Sequence, residues 1–301
     1  MPSLLERLPP GARVLIVRLR SLGDSVLTTP AIHLLKQHRP DLEIAIIVEP
    51  RFAGIFEDNP DLAAILPPSQ RAALAFRPRL TLNLHGGPTS AVLTLSSLAR
   101  FRAGFAHYKT RWAHNILIPR AQQILHDERK VHTAEHAASA MFFLGVPQQE
   151  IPRARLFAPP AETTAPILAV HPFASAAHKA WPPARFVSAA RALARGREVV
   201  ILAGPDDDTR PFAEFTILAN APLRTVKQTL RRATLFLGND SGPAHMAAAF
   251  GVPSVVLFGS SDPVIWAPWK TPARVLHAPA GLAAITEDQV LAAAAALEAA
   301  P

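Results

Sequence analysis

Short apolar runs that alternate with amphipathic segments constrain the fold of this chain more than any other feature. Each run is continuous rather than alternating, as expected for strands of a parallel sheet that is covered on both faces. The rhythm fills the first half of the chain and restarts after residue 166, so it predicts two α/β domains with parallel sheets. The predicted strands are 12–18, 43–49 and 79–84 in the first half and 167–173, 198–204, 234–240 and 254–259 in the second.

The length of 301 residues is that of two domains of roughly 150 residues each. Segment 151–166 combines prolines with small polar residues and is typical of a linker. We therefore predict domains at 1–158 and 159–301. The alanine-rich end of the chain predicts a closing helix after a Thr286 cap, and we expect this helix to pack back on the first domain.

The formal net charge of +8 is unevenly distributed. Residues 1–155 hold 19 Lys and Arg against 12 Asp and Glu, whereas residues 156–301 hold 12 against 11. A basic half favours an anionic partner such as a phosphorylated lipid, a membrane surface or nucleic acid, although an arginine-rich composition also simply raises solubility. No apolar run approaches the ~20 residues that span a bilayer, no signal peptide is evident, and the chain has no cysteine. We expect a cytoplasmic protein.

The segment 238–251, GNDSGPAHMAAAFG, predicts a turn that leads into a helix. Gly242 allows close backbone approach, Ser241 offers a hydroxyl, and the first amides of a helix favour a phosphate. Asp240 and His245 lie on either side of this turn, although a lone histidine is more often structural than catalytic.

Three further segments follow predicted strands, where ligands bind in open α/β sheets. Asp24 lies at a strand-to-helix turn and is either a helix cap or a general base. Lys179, in a loop with Ser175, either neutralises a diphosphate or is a solvated loop lysine. Asp207 and Asp208 either bind ribose hydroxyls or belong to an aspartate-rich turn.

Several motif-based functions are disfavoured. No G-x-G-x-x-G, Walker or G-x-S-x-G motif occurs, which argues against dehydrogenases, ATPases and serine hydrolases. The run HTAEH at 132–136 has two histidines at i and i+4 but does not fit the H-E-x-x-H pattern, so we expect no metal site there.

Three blocks together resemble the ADP-heptose:lipopolysaccharide heptosyltransferases: LRSLGDSVLTTPAI at 19–32, HPFASAAHKAWPPARF at 171–186, and LFLGNDSGPAHMAAAFGVPSVVLFGSSDP at 235–263. This resemblance implies a GT-B fold, in which two Rossmann-like, doubly wound domains face a central cleft. The acceptor would bind the first domain and the nucleotide sugar the second.

The resemblance also implies roles for individual residues. Asp24 matches the catalytic base, which would deprotonate the acceptor hydroxyl for attack at the anomeric carbon with inversion, and Lys179 matches the lysine that contacts the donor phosphates. Three departures from the family pattern are Phe173 in place of a common glycine, Asp207 or Asp208 near a glutamate that holds the ribose, and Ser241 in place of a frequent threonine. The predicted nucleotide-sugar site comprises Ser175, Lys179, Asp207, Asp208, Asp240, Ser241, Gly242 and His245.

These observations predict an inverting glycosyltransferase that moves a heptose from ADP-heptose to the inner core of a lipopolysaccharide-type glycolipid. We expect no metal and no cofactor besides the ADP-sugar substrate, an anionic glycolipid acceptor, peripheral contact with the cytoplasmic face of the inner membrane, and no nucleic acid. The alternatives are a GT-B enzyme that uses another nucleotide sugar, and a non-catalytic protein that binds nucleotides or nucleic acid.

Overall fold

A computed structural model describes residues 2–160, 165–174 and 180–299. The chain divides into two compact units, Met1–Pro152 and Arg153–Pro301. Each unit has its own parallel sheet, so we describe each by itself.

The described residues of the first unit form a six-stranded parallel sheet with the strand order β3-β2-β1-β4-β5-β6. Among its helices, α1 packs against α6 and α3 packs against α4. The strands are β1 (Arg13–Val17), β2 (Glu43–Ile47), β3 (Ala64–Leu66), β4 (Leu80–Asn83), β5 (Phe101–Phe105) and β6 (Ile116–Ile118); the helices are α1 (Leu22–His38), α2 (Pro50–Ala53), α3 (Gln70–Ala75), α4 (Pro88–Ser96), α5 (Ala121–Leu125) and α6 (Thr133–Leu144).

The described part of the second unit also forms a six-stranded parallel sheet, with the order β12-β11-β10-β7-β8-β9. Its strands are β7 (Ile167–His171), β8 (Glu198–Ala203), β9 (Thr216–Ala219), β10 (Ala233–Asn239), β11 (Ser254–Phe258) and β12 (Ala273–His277); its helices are α7 (Pro183–Ala194), α8 (Leu223–Arg232), α9 (Gly242–Ala249), α10 (Pro263–Trp266) and α11 (Glu287–Glu298). The closing helix α11 begins after its Thr286 cap, as the sequence predicts, and packs against α7, β11 and β12 of this unit.

Counted from the first strand of each unit, both sheets have the order 3-2-1-4-5-6. This is the order of doubly wound dinucleotide-binding folds, in which the chain winds outward in both directions from the centre of the sheet. The predicted α/β class with two doubly wound parallel sheets is therefore confirmed.

All seven predicted strands are present, and five more were not foreseen: β3, β5, β6, β9 and β12. Four of these five are edge strands of their sheets: β3 and β6 are only three residues long, and β9 and β12 are partly exposed. Helix α1 begins at Leu22, because Ser21 forms the N-cap.

Candidate functional site

The first sheet reverses its winding direction between β1 and β4, and ligands of open α/β sheets bind beyond the carboxyl ends of such a strand pair. Asp24 follows β1 and His85 follows β4, so both residues lie at this edge. Burial lowers the pKa of His85, and the positive charges of Arg18 and Arg20 lower it further. The edge therefore gathers a carboxylate, two arginines and a neutral histidine.

Asp24 is the third residue of α1 and completes a capping box with Ser21. Its Oδ2 accepts hydrogen bonds from the Ser21 amide at 3.2 Å and from the Ser21 hydroxyl at 3.1 Å. The guanidinium of Arg18, which is almost fully buried, lies 3.4 Å from Oδ1. The structural alternative for Asp24, a helix cap, is thus observed, and the carboxylate is held in one orientation at the ligand edge.

An aromatic cluster lies beside Asp24. The ring of Tyr108 lies against Gly86, where a Cβ atom would come within 2.8 Å of the ring, and burial raises the pKa of Tyr108 to about 12. His136 stacks on Phe105 with ring centroids 4.0 Å apart, and burial together with the positive charges of His107 and Arg18 lowers its pKa to about 4. At neutral pH this cluster is uncharged and can donate and accept hydrogen bonds.

A cavity of about 650 Å³ opens next to this cluster. Its volume is within the range of small-molecule sites. Arg120 provides a cationic group and Glu128 an acidic one, while amide and imidazole groups supply neutral partners. The lining residues are His107, Arg120, Ala121, Gln122, Gln123, Glu128, Val131 and His136.

The second sheet reverses its winding direction between β7 and β10. Asn239, the last residue of β10, is 1% exposed and holds both ends of the loop that follows β7. Its side-chain amide donates to the carbonyls of Pro172 at 2.9 Å and Phe173 at 3.3 Å, and its Oδ1 accepts from the amide of Trp181 at 3.2 Å. The asparagine therefore fixes the positions at which this loop leaves and rejoins the core.

Helix α9 begins at the same edge, with Ser241 as N-cap and Pro243 in the first turn. The Ser241 hydroxyl is buried and has no hydrogen-bond partner among the described residues. His245 is also buried, and its ring faces Trp266 with centroids 6.3 Å apart. Amides at the start of the helix and a hydroxyl available for bonding are features of an anion site.

The predicted Asp207 and Asp208 occupy the turn after β8. Asp207 Oδ2 accepts a hydrogen bond from the amide of Gly204 at 2.7 Å, which closes the turn. Asp208 pairs with Arg210 at 2.8 Å, and the hydrogen bonds from Arg210 lower the pKa of Asp208 to about 2. Both carboxylates thus stabilise the turn, in line with the aspartate-rich-turn alternative, and their role toward ribose stays a prediction.

Two predicted residues, Ser175 and Lys179, lie outside the described residues. The neighbouring Phe173 is described: its ring packs edge-on against Phe212 with centroids 5.6 Å apart, on the core of the second unit. The side chain that replaces the glycine common in the resembled family is therefore turned toward that core.

The histidine and glutamate side chains of the HTAEH run at 132–136 contact other groups of the protein. His132 Nδ1 accepts a hydrogen bond from the Ala134 amide, and Glu135 pairs with Arg129 at 2.5 Å. His136 stacks on Phe105, as described above. Within 2–160, 165–174 and 180–299, no group of three His, Asp or Glu side chains is arranged to hold a metal ion.

Sequence reasoning missed the most informative residues of both sites, which include Asn239, His85, Tyr108 and Trp266. A polar residue that ends a continuous apolar strand was the available signal for Asn239, and for Asn83 at the end of β4. Asn83 is buried, and its Oδ1 accepts from the amides of His85 and Gly86 at 3.0 Å each.

The chain is similar in sequence and in structure to known glycosyltransferases. The chain is 28% identical over 288 residues to lipopolysaccharide heptosyltransferase 3 of Escherichia coli, covering 84% of this chain and 85% of the relative. A glycosyl transferase family 9 structure from Veillonella parvula superposes with a TM-score of 0.81 at 21% identity, covering 95% of this chain and 97% of that one. The structure of E. coli heptosyltransferase WaaC with ADP gives a TM-score of 0.76 at 21% identity, with 95% and 99% covered. These likenesses confirm the GT-B fold class.

One more distant neighbour, the heptosyltransferase TibC from E. coli, is described as iron-containing and has a TM-score of 0.62 at 17% identity.

None of the described helices of the present chain has both the length and the hydropathy needed to cross a bilayer.

The model of glycosyltransferase family 9 (heptosyltransferase) matches residues 79–289. This match spans the second half of the first unit and almost all of the second. It includes β7 and β10, the two strands between which the second sheet reverses its winding direction. The chain belongs to glycosyltransferase family 9 and is a heptosyl-transferring enzyme.

Proposed function

We propose that the enzyme transfers a heptose from ADP-heptose to the inner core of a lipopolysaccharide-type glycolipid, with inversion at the anomeric carbon. The observation that carries this proposal is the buried Ser241 hydroxyl at the start of α9, because it lacks a partner among the described residues and lies where a donor diphosphate would be held. The E. coli relative is named a lipopolysaccharide heptosyltransferase, and the structure of the WaaC neighbour contains ADP.

On the donor side, the amides of the first turn of α9 and the Ser241 hydroxyl would bind diphosphate oxygens. Asp240 and His245 lie on the same turn and would contact the diphosphate and the sugar, and Lys179 would neutralise the charge that develops on the departing ADP. The aspartates after β8 would accept hydrogen bonds from the ribose. Helix amides and a lysine can stabilise a leaving diphosphate without a metal ion.

On the acceptor side, Asp24 would accept the proton of the attacking hydroxyl. The oxygen then forms a bond to the anomeric carbon while the bond to the ADP oxygen breaks. Ser21 and Arg18 already hold the carboxylate in a fixed orientation, which a general base requires. The cavity lined by Arg120, His107 and His136 would receive the acceptor sugar and its anionic substituents.

The replacement Asp24→Asn separates the catalytic role from the capping role. Asparagine keeps an oxygen that accepts from Ser21 but loses the ion pair with the buried Arg18, so we expect the free energy of unfolding to fall by about 1–3 kcal/mol. Loss of a general base typically costs 10²–10⁴-fold in rate, so we expect transfer to fall by at least about 100-fold while ADP affinity stays the same. Transfer would be read by mass spectrometry with ADP-heptose and a truncated core lipid.

Asp41→Asn is the matched control, because Asp41 is paired with Arg39 just before β2, at the opposite edge of the same sheet. This variant should transfer at the wild-type rate. Near-normal transfer by Asp24→Asn would remove Asp24 from the mechanism.

A second candidate is a glycosyltransferase of the same family with another nucleotide sugar. This candidate is favoured by Asp207 and Asp208, whose side chains are one methylene shorter than the ribose-binding glutamate of the resembled family. Both aspartates pair with groups of their own turn in the structure. Calorimetric titration with ADP, UDP and GDP distinguishes the two candidates, and preference for UDP or GDP would contradict the ADP-heptose assignment. Transfer should also persist in EDTA, since the proposed mechanism uses no metal ion.

A further inference from the structure

The two most exposed large hydrophobic side chains of the described residues are Leu98 and Trp112, at 75% and 67% exposure. Both belong to the first unit. Single exposed hydrophobic residues are common on protein surfaces, but a leucine and a tryptophan on neighbouring backbone segments in a cationic setting are informative.

The Arg102 side chain links the two backbone segments that carry Leu98 and Trp112. Arg102 donates to the carbonyl of Ala99 at 3.0 Å and to the carbonyl of Ala113 at 3.2 Å. Leu98 and Trp112 directly precede these two buried alanines. The backbone next to each of the two exposed residues is therefore hydrogen-bonded to the same Arg102 side chain.

The conformation of Leu98 is costly. It follows the C-cap of α4 with φ at 51°, a left-handed conformation that glycine or asparagine usually adopts at this position. Its side chain packs against little in the folded unit, since three quarters of it are exposed. A leucine that is both strained and exposed contributes nothing evident to stability.

The surroundings are basic. No Asp or Glu occurs from residue 62 to residue 126, whereas this stretch contains eight cations: Arg71, Arg77, Arg79, Arg100, Arg102, Lys109, Arg111 and Arg120. Arg100 and Arg111 are exposed and adjoin Leu98 and Trp112 in the sequence. Neither has an ion-pair partner within the described part of the chain, so both charges are available to an anionic surface.

We propose that Leu98, Arg100, Arg111 and Trp112, here called the Trp112 patch, dock the enzyme on an anionic lipid bilayer. Tryptophan prefers the headgroup region of membranes, leucine inserts below it, and arginines are attracted to anionic headgroups. A nucleic acid would be expected to use several aromatic residues between the cations, and the patch has one. The inference extends the proposed function, since a lipid-linked acceptor is presented at a bilayer.

Vesicle sedimentation tests the patch without acceptor or donor. We expect the wild-type protein to bind vesicles of phosphatidylglycerol and phosphatidylethanolamine at least tenfold more tightly than vesicles of phosphatidylcholine alone, and to be released by high salt. Equal binding to both kinds of vesicle, or no binding to either, would overturn the proposal.

Two variants separate the apolar and the charged contributions. Leu98→Gly with Trp112→Ser should lower binding to anionic vesicles at least tenfold, and Arg100→Gln with Arg111→Gln should do the same. Leu98→Gly alone should lower binding while raising thermal stability, because glycine relieves the left-handed strain. The matched control is Phe143→Ser with Arg274→Gln, which removes one exposed aromatic residue and one exposed cation elsewhere and should bind like the wild type.

A second readout keeps the patch distinct from the proposed function. Transfer to a deacylated, water-soluble acceptor should be unchanged in the patch variants, whereas transfer to the same acceptor embedded in vesicles should fall. Loss of both activities would place these residues in the active site and overturn the docking role. Absence of transfer by the wild-type protein would instead contradict the proposed function and leave the vesicle result to decide on the patch.

Discussion

Asn239 shows how one buried side chain can fix both ends of the loop that follows β7. Its three hydrogen bonds reach residues on both sides of the segment that contains Lys179. Its partners are 58 to 67 residues away in the chain. Because the side chain has both a donor and an acceptor, no other residue of similar size can satisfy the same set of backbone groups.

The replacement Asn239→Ala should leave the Trp181 amide without a partner in a buried position. A buried unsatisfied group costs about 1–3 kcal/mol, so we expect the second unit to lose about that much stability and ADP affinity to fall at least tenfold. Urea unfolding and calorimetry with ADP measure the two effects. Asn83→Ala is the control: it removes a buried asparagine of the first unit and should lower stability without changing ADP affinity. Equal ADP affinity in both variants would contradict the role of Asn239.

His136 makes the stability of the first unit depend on pH. Its pKa is about 4 in the folded protein against the ordinary 6.5, because burial disfavours the charged ring. The unfolded chain therefore binds a proton that the folded chain does not between these values, and stability falls as the pH drops from 6.5 to 4. At pH 5 the free energy of unfolding is therefore lower by about 2 kcal/mol because of this residue, since one pKa unit corresponds to about 1.36 kcal/mol.

The variant His136→Gln removes this titration. We expect the difference in free energy of unfolding between pH 7 and pH 5 to be about 2 kcal/mol smaller than in the wild type, measured by urea titration. His38→Gln, at an exposed position, serves as control. An unchanged pH difference in His136→Gln would show that the ring is not held neutral by burial.

At the scale of the element, the strands at the centre of each sheet could be predicted and the outer strands mostly could not. A central strand is buried on both faces, so its whole length is apolar, as in β1 with the sequence RVLIV. By contrast, β12 is half-exposed, and β5 contains Arg102 and Gly104. Exposure of an outer strand depends on its place in the sheet, which the local sequence does not contain.

The residues of the candidate sites also divide into those that the local sequence predicts and those that depend on the arrangement of the sheet. Asp24, Ser241 and the start of α9 could be predicted, because a cap and a glycine turn are local patterns in the sequence. The Asn239 contacts and the Tyr108 ring against Gly86 could not, since they join segments that are distant in the chain. The sequence places polar residues at strand ends, but only the sheet order determines which strand ends are neighbours.

Helix α9 provides a test of the proposed diphosphate site that does not depend on catalysis. In Ser241→Ala the fold loses no hydrogen bond among the described residues, so we expect the free energy of unfolding to stay within about 0.5 kcal/mol of the wild type. ADP affinity should fall about tenfold, because one direct bond to a charged oxygen is removed. Ser241→Thr keeps the hydroxyl and should bind ADP like the wild type. Equal affinity of the alanine variant would place the diphosphate elsewhere.

At the scale of the whole molecule, the two units repeat one architecture with different chemistry at the reversal point. Both have the same strand order, and both end their fourth strand with a buried asparagine, Asn83 and Asn239. At this point the first unit has Asp24 in the first turn of α1 together with histidines and a tyrosine, whereas the second has the Ser241 hydroxyl at the start of α9. Under the proposed function, this common scaffold would serve proton transfer in one unit and anion binding in the other.

This division predicts how ADP changes the protection of the backbone amides. Ligand binding stabilises the state that binds it, by about 2.7 kcal/mol at 100 times the dissociation constant. Because each unit has its own core and its own sheet, we expect ADP to slow hydrogen exchange in peptides from β7, β10 and α9, and to leave β1, β4 and α1 unchanged. Hydrogen exchange read by mass spectrometry measures this peptide by peptide. Ser241→Ala at the same ADP concentration should show weaker protection, and ADP-dependent protection confined to the first unit would reverse the assignment of donor and acceptor to the two sheets.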